Sequence, residues 1–200
     1  MKIQENMEVT DFVVENNKIK NLVTKQTEFK ASTYVLATGS WSHQLAKKLK
    51  LSVPILGGKG YSMIIEPLDI QPQIPLMLIE KKIAITPRNG SLRIAGTLEL
   101  VNQDFSITER RVKAILRGSR EFLPVPEKVE IKELWRGLRP CTPDGVPLIG
   151  FTKKINNLML ACGHQMLGLQ SGYGTGQLVA DLITKGQSDL NRKVYNPDRF

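Results

Sequence analysis

Asn157-Leu158-Met159-Leu160-Ala161-Cys162-Gly163-His164-Gln165-Met166-Leu167-Gly168 is the stretch that decides the fold. Its first half is a short, continuous apolar run, the pattern of a strand buried on both faces. The run empties into glycine: Gly163, Gly168, Gly172, Gly174 and Gly176 read together as a loop. From Gln177 to Thr184, residues Leu178, Val179, Leu182 and Ile183 share one helical face, and Gly186 stands where a helix stops. Strand, glycine loop and helix in this order make an α/β unit. Gln165 breaks a GxGxxG pattern, so the loop predicts no phosphate cradle, only a close approach of backbone to a planar ring.

Upstream, Trp135-Arg136-Gly137-Leu138-Arg139-Pro140-Cys141-Thr142-Pro143-Asp144-Gly145-Val146-Pro147-Leu148-Ile149-Gly150 sets Arg139 between an aromatic strand end and a Pro/Gly turn. Val129 and Ile131 alternate into it, so Arg139 is expected at or just past a strand end, where a rigid sheet holds a cation steady. The bland alternative is a structural arginine in a turn.

A second apolar strand, Tyr34-Val35-Leu36-Ala37, runs into Thr38-Gly39-Ser40, and Leu45, Ala46 and Leu49 then take helical spacing. A helix start with serine as N-cap offers free N–H groups to an anion, although a plain strand-to-helix connection reads the same way. Before it, Val9 to Val14 and Ile19 to Thr24 flank the turn Glu15-Asn16-Asn17-Lys18 and suggest a small meander. Pro54-Ile55-Leu56-Gly57-Gly58 reads as a linker. Beyond it, the alternation at Tyr61, Met63 and Ile65, the run Lys82 to Thr86, and Leu92 and Ile94 after Asn89-Gly90 predict antiparallel sheet over 59–100. Ser106-Ile107-Thr108-Glu109 fits a capping box for a helix over about 107–122, with Val112, Ile115, Leu116, Phe122 and Leu123 on its apolar side.

The bulk numbers bound these readings. With 41% hydrophobic and 24% charged residues the chain suits one globular domain or two small lobes, not disorder. A formal charge of +9 admits nucleic acid, an anionic membrane surface or an anionic cofactor. Lysines and arginines are nevertheless scattered and aromatics make up only 6%, so no stacking platform for nucleic acid is expected. Two cysteines, Cys141 and Cys162, and two histidines, His43 and His164, argue against a metal site or a disulfide framework. No signal-like or membrane-spanning apolar run occurs, which leads to the expectation of a cytoplasmic protein, at most peripheral at the inner face of a membrane.

Four stretches, Tyr34 to Ser42, Gly58-Lys59-Gly60-Tyr61-Ser62, Trp135 to Gly150, and Asn157 to Asp181 with Pro197-Asp198-Arg199-Phe200, together resemble FAD-dependent amine oxidoreductases of the D-amino-acid dehydrogenase and glycine oxidase type. The resemblance implies an α+β and α/β fold: a partial FAD-binding domain of the glutathione-reductase type plus a substrate domain with a mixed, mainly antiparallel sheet and covering helices. Residues 1–55 and 140–200 would belong to the former and 56–139 to the latter. It implies oxidative deamination of D-amino acids, with hydride passing from Cα to flavin and the imine hydrolysed to a 2-oxo acid and ammonia. Arg139 would pair with the substrate carboxylate and Tyr61 would help form the pocket. Ala37, Thr38 and Gly39 would touch the adenosine or pyrophosphate side of FAD. Gly163, His164, Gln165, Met166, Leu167 and Gly168 would lie along the isoalloxazine, with Gln165 crowding it. No residue is assigned as general base and no metal is implied.

The family's opening strand, GxGxxG turn and helix have no counterpart here, so the chain resembles a carboxy-terminal half. A partner chain supplying the dinucleotide-binding half is therefore expected, and the electron acceptor is left open. An oxygen-using glycine or sarcosine oxidase and a non-catalytic binding module are the rival readings.

Overall fold

The computed structural model describes residues 2–70, 72–190 and 193–200. The chain divides into two compact units, Met1–Leu56 with Arg139–Phe200, and Gly57–Leu138.

The first unit begins with an antiparallel meander of β1 (Val9–Glu15), β2 (Lys18–Thr24) and β3 (Glu28–Phe29). Asn16 and Asn17 turn the first hairpin at φ 49° and 58°. Two consecutive positive φ values match the twist of the flanking strands, and asparagine tolerates them. A second sheet follows in the order β10-β11-β4, from β4 (Tyr34–Leu36), β10 (Leu148–Phe151) and β11 (Leu158–Cys162). Asn157 joins the two sheets. Its side chain accepts from the Ile19 amide and donates to the Ile19 carbonyl, while its own carbonyl accepts from the Tyr34 amide. The core beneath includes Ile19, Leu36, Ala46, Ile55, Leu148 and Leu160.

A single 3-10 turn (Gly39–Trp41) leads from β4 into α1 (Ser42–Lys48). The expected serine cap is not formed. Trp41 is the N-cap without a side-chain bond, because the Ser42 hydroxyl lies 3.1 Å from Thr38 Oγ1 instead. The largest departure from the sequence reading is α3, which spans Gly168–Thr184. Four glycines read as loop are in fact helical.

The second unit is a five-stranded sheet in the order β6-β7-β8-β5-β9, from β5 (Leu56–Ile65), β6 (Leu76–Leu78), β7 (Ile83–Arg88), β8 (Ser91–Val101) and β9 (Ile131–Cys141). The Asn89-Gly90 hairpin forms as expected, with Arg88 opposite Ser91 and Gly90 at φ 70°. The proposed linker glycines are part of β5. A Cβ at Gly57 would sit 3.2 Å from Leu138 Cδ1 and 3.2 Å from the Val101 carbonyl, so glycine there serves close strand packing.

The helix covering this sheet, α2 (Glu109–Arg120), starts later than the capping box predicts. Asp104 takes the Ser106 amide and hydroxyl, and the Thr108 amide donates to the Tyr61 hydroxyl, so Ser106 is unavailable as a cap. Val112, Ile115 and Leu116 pack on the sheet, whereas Phe122 lies past the helix end and is exposed.

Candidate functional site

Parallel pairing of β4 with β11, Leu36 beside Leu160, makes both strands exit the same edge of the sheet. Ala37-Thr38-Gly39 and Gly163-His164 therefore emerge side by side. β10 runs the opposite way with Leu148 beside Cys162, so the turn Thr142–Pro147 that precedes it stands at that edge too. The carboxyl edge of parallel strands, with its loops and helix N-termini, is where open α/β sheets bind ligands.

Contacts join these loops. The Gln165 amide donates to the Pro140 carbonyl at 3.1 Å, which ties the glycine loop to the residue after Arg139. Gly163, at φ 85°, lies so close to Thr142 that a Cβ would approach Thr142 Cγ2 at 2.6 Å. Glycine is required there by both conformation and space. Gln165 itself adopts φ 51°, and its carboxamide nitrogen is 3.1 Å from where a Gly145 Cβ would be. Its side chain is thus folded onto the turn.

Arg139 lies near the end of β9, half-buried and engaged within the chain. Two positions earlier on the same strand, the Trp135 indole covers Gly137 and leaves no space for a Cβ. Glycine at 137 thereby lets the aromatic lie flat on the strand leading to Arg139. The Asp144 carboxylate after it accepts two bonds from Arg199, at 2.7 and 2.9 Å. This hydrogen bonding holds the Asp144 pKa down at about 2. Nothing local in the sequence links residues 144 and 199.

His164 is half-buried with Nε2 2.9 Å from Thr175 Oγ1, bridging the loop to the second turn of α3. Burial lowers its pKa, which keeps the imidazole neutral near pH 7. Met166 and Leu167 are exposed, as is Gly168. Burial pushes the Cys162 thiol up to about 11, so it is inert, and neither Cys141 nor Cys162 is in a disulfide. Thr38 lines an open hollow of about 730 Å³ with Val9, Trp41, Leu45 and Lys48, while Ala37 is exposed.

Among the described residues the distal half of α3 carries the apolar packing, with Leu178 and Leu182 joining Ile149 and Met159, while the proximal half is held by His164 at Thr175. The proximal half shows Leu169 at 93% and Tyr173 at 87% exposure, and a Cβ on Gly172, Gly174 or Gly176 would meet nothing within 4 Å. Each glycine costs a helix about 1 kcal/mol relative to alanine. Among the described residues no contact demands glycine at these positions.

Tyr61 is 1% exposed in the core of the second unit, with its hydroxyl donating to Glu99 and accepting from the Thr108 amide. That placement suits packing and the start of α2. Beside it Lys59 is fully buried, paired with Asp104 at 2.6 Å and with the Ser106 carbonyl at 3.1 Å, a network without a sequence signature. Among the described residues no group of His, Cys, Asp or Glu could hold a metal ion, and no helix is long and apolar enough to cross a membrane.

Comparison with known proteins matches residues 1–182 to the family model described as FAD dependent oxidoreductase. The chain is 38% identical over 195 residues to D-amino acid dehydrogenase of Vibrio atlanticus (strain LGP32), covering 96% of this chain and 46% of that protein. It is 35% identical over 198 residues to the D-amino acid dehydrogenase of Paramagnetospirillum magneticum (strain ATCC 700264 / AMB-1), covering 98% and 46%. Among solved structures, glycine oxidase from Geobacillus kaustophilus superposes with TM-score 0.86 at 26% identity, over 98% of this chain and 53% of that one. L-proline dehydrogenase from P. horikoshii gives 0.84 at 26% identity, over 98% and 54%. The chain thus spans about half the length of the curated relatives it matches. On its fold and its sequence alike, the chain belongs to the FAD dependent oxidoreductase family.

Proposed function

We propose that the chain is the carboxy-terminal portion of an FAD-dependent D-amino-acid dehydrogenase, with Met1–Leu56 and Arg139–Phe200 as its share of the cofactor domain and Gly57–Leu138 as substrate domain. The observation that carries this reading is the sheet edge, where the loops after β4 and β11 and the turn before β10 gather beside a half-uncovered α3. Open glycine backbone and loop amides suit a flat, electron-accepting ring.

Bound flavin would supply the two-electron acceptor, so that hydride leaves the substrate Cα and the resulting imine is hydrolysed to a 2-oxo acid and ammonia. Arg139 pairs with the substrate carboxylate through its fork of donors. The loop Gly163–Gly168 and the first turn of α3 present N–H groups and the positive dipole end, which favour negative charge at a reduced ring. His164, held by Thr175, keeps the loop in register with α3 as a neutral side chain and removes no proton. Thr38 and Gly39 stand on the adenosine or pyrophosphate side. Tyr61, with its hydroxyl already engaged, has no part in this proposal.

The uncovered half of α3 fits a second chain or segment that carries the dinucleotide-binding half. That half would supply the main pyrophosphate contacts, and turnover is expected to need it. Purified chain with FAD but no partner is expected to show no D-alanine-dependent dye reduction, and adding the missing half is expected to restore it. Robust turnover by the chain alone would contradict the need for a partner. The structural likeness to glycine oxidase favours a second reading, electron transfer to oxygen. Peroxide formation during turnover separates the two. A cytoplasmic location, with peripheral contact at the inner membrane face, accompanies the dehydrogenase reading, and co-sedimentation with anionic vesicles tests it.

A further inference from the structure

The last residues of the chain reach back into the site. Arg199 donates to both carboxylate oxygens of Asp144, at 2.7 and 2.9 Å. It also donates to the carbonyls of Val146 at 2.5 Å, Pro147 at 3.2 Å and Asn196 at 3.2 Å. Its side chain is only 16% exposed, and its guanidinium lies 4.8 Å from the Phe200 ring centroid. Asp198 receives the Lys153 amide at 3.1 Å, so the terminal segment is fastened at two points.

The turn that Arg199 grips is held internally as well. Thr142 Oγ1 donates to the Val146 carbonyl at 2.9 Å, and the Val146 amide donates to Asp144 at 3.1 Å. On its other side the turn meets the glycine loop. Thr142 packs on Gly163, the Gln165 carboxamide lies on Gly145, and the Gln165 amide binds the Pro140 carbonyl. A continuous path of contacts therefore runs from Arg199 through residues 142–147 to residues 163–165.

We infer that Arg199 is a positioning residue: its fork sets the turn Thr142–Pro147, and the turn in turn sets the Gly163–Gly168 loop at the height where that loop meets the cofactor. A single cation satisfying a carboxylate and three carbonyls is a planar, multi-donor role that lysine cannot reproduce. The inference rests on the flavin reading for its function, but the mechanical link is a property of the chain by itself. It does not place Arg199 in contact with substrate or cofactor.

The test is amide hydrogen exchange on the 200-residue chain and on its Arg199→Lys and Arg199→Ala variants, followed by flavin uptake by each in the presence of the dinucleotide-binding half. Both variants are expected to speed exchange at 142–147 and at 163–168 about tenfold or more, the scale of losing charge-assisted hydrogen bonds. Exchange in β7 and β8 should be unchanged. Lysine should not rescue, and the flavin spectrum of the variants should show a weaker and altered environment. If Arg199→Ala fails to fold, the charge-retaining Arg199→Lys decides. Loosening confined to 142–147 with 163–168 as in wild type overturns the inference, as does uniform loosening of the whole unit, and so does full rescue by lysine. If wild type takes up no flavin in any assembly, the functional reading fails while the exchange result still decides the mechanical link.

Discussion

The Gln165 amide donates to the Pro140 carbonyl at 3.1 Å, so the glycine loop is fastened to the residue that follows Arg139. A left-handed conformation at Gln165, φ 51°, makes that bond. Two elements far apart in sequence are thereby locked in one geometry.

Substitutions at Gln165 separate conformation from side chain. In Gln165→Gly, relief of a left-handed cost of about 1–2 kcal/mol is partly offset by added chain entropy of about 0.5–1 kcal/mol, so stability should rise by about 0.5–1 kcal/mol. Gln165→Val, β-branched at positive φ, should destabilise by about 1–3 kcal/mol. Urea unfolding of both variants checks the pair, and a neutral Gln165→Val would show that the loop is not held at this φ.

Removing the guanidinium from Arg139 should cost the assembled enzyme substrate affinity. Arg139→Ala is expected to lower kcat/KM for amino acids by about 10- to 100-fold, through KM in the main, and Arg139→Lys by less. Steady-state kinetics decide, and an unchanged KM in both variants removes the carboxylate role.

Acid should undo the turn in a defined window. Asp144 has its pKa lowered from 3.8 to about 2, first by the Arg199 hydrogen bond. A group depressed in the folded state contributes stability above its unfolded value and loses it as pH falls through the folded one. The Asp144 contribution is therefore complete above about pH 4 and gone below about pH 2. Urea midpoints measured from pH 5 to 2 should fall less steeply for Asp144→Asn than for wild type. Parallel curves would contradict the assignment.

Lys59 offers a stability test in the other unit. Burial pulls its pKa down, yet the Asp104 hydrogen bond, with Tyr61 and Glu99, more than offsets this and leaves it raised. Asp104→Ala leaves the buried ammonium with only the Ser106 carbonyl and the more distant Glu99 and should cost about 3 kcal/mol, whereas Lys59→Met removes the charge and keeps the volume, at smaller cost. Thermal melts rank them, and equal losses would show that the pair acts only by packing.

How much of this was legible in the sequence depended on how local each signal was. Strands β4 and β11 and the Asn89-Gly90 hairpin announce themselves through apolar runs and turn chemistry within a few residues, although Val35 in β4 is exposed. The start of α3 does not, because Gly168, Gly172, Gly174 and Gly176 carry the propensity of a loop while the chain takes them as helix. Phe122 fits the apolar spacing but lies past the end of α2 at Arg120 and is exposed, while Asp104 and Tyr61 engage the Ser106 and Thr108 amides and so set where the helix begins. Asp144 and Arg199, and likewise Lys59 and Asp104, find each other only through the fold, as no periodic spacing connects them. Arg139 and the glycine loop were readable as motifs, but their connection through Pro140 and Gln165 was not.

The central claim is that residues 163–168 and the uncovered half of α3 form one side of a flavin site completed by a dinucleotide-binding half. Titrating FAD into the chain with and without that half, and following flavin absorbance and fluorescence, tests it most directly. The account predicts weak or no uptake by the chain alone. With the half present it predicts tight, stoichiometric uptake, diminished by Gly163→Val, whose side chain has no space beside Thr142. No uptake in the reconstituted pair, or uptake indifferent to Gly163→Val, would contradict it.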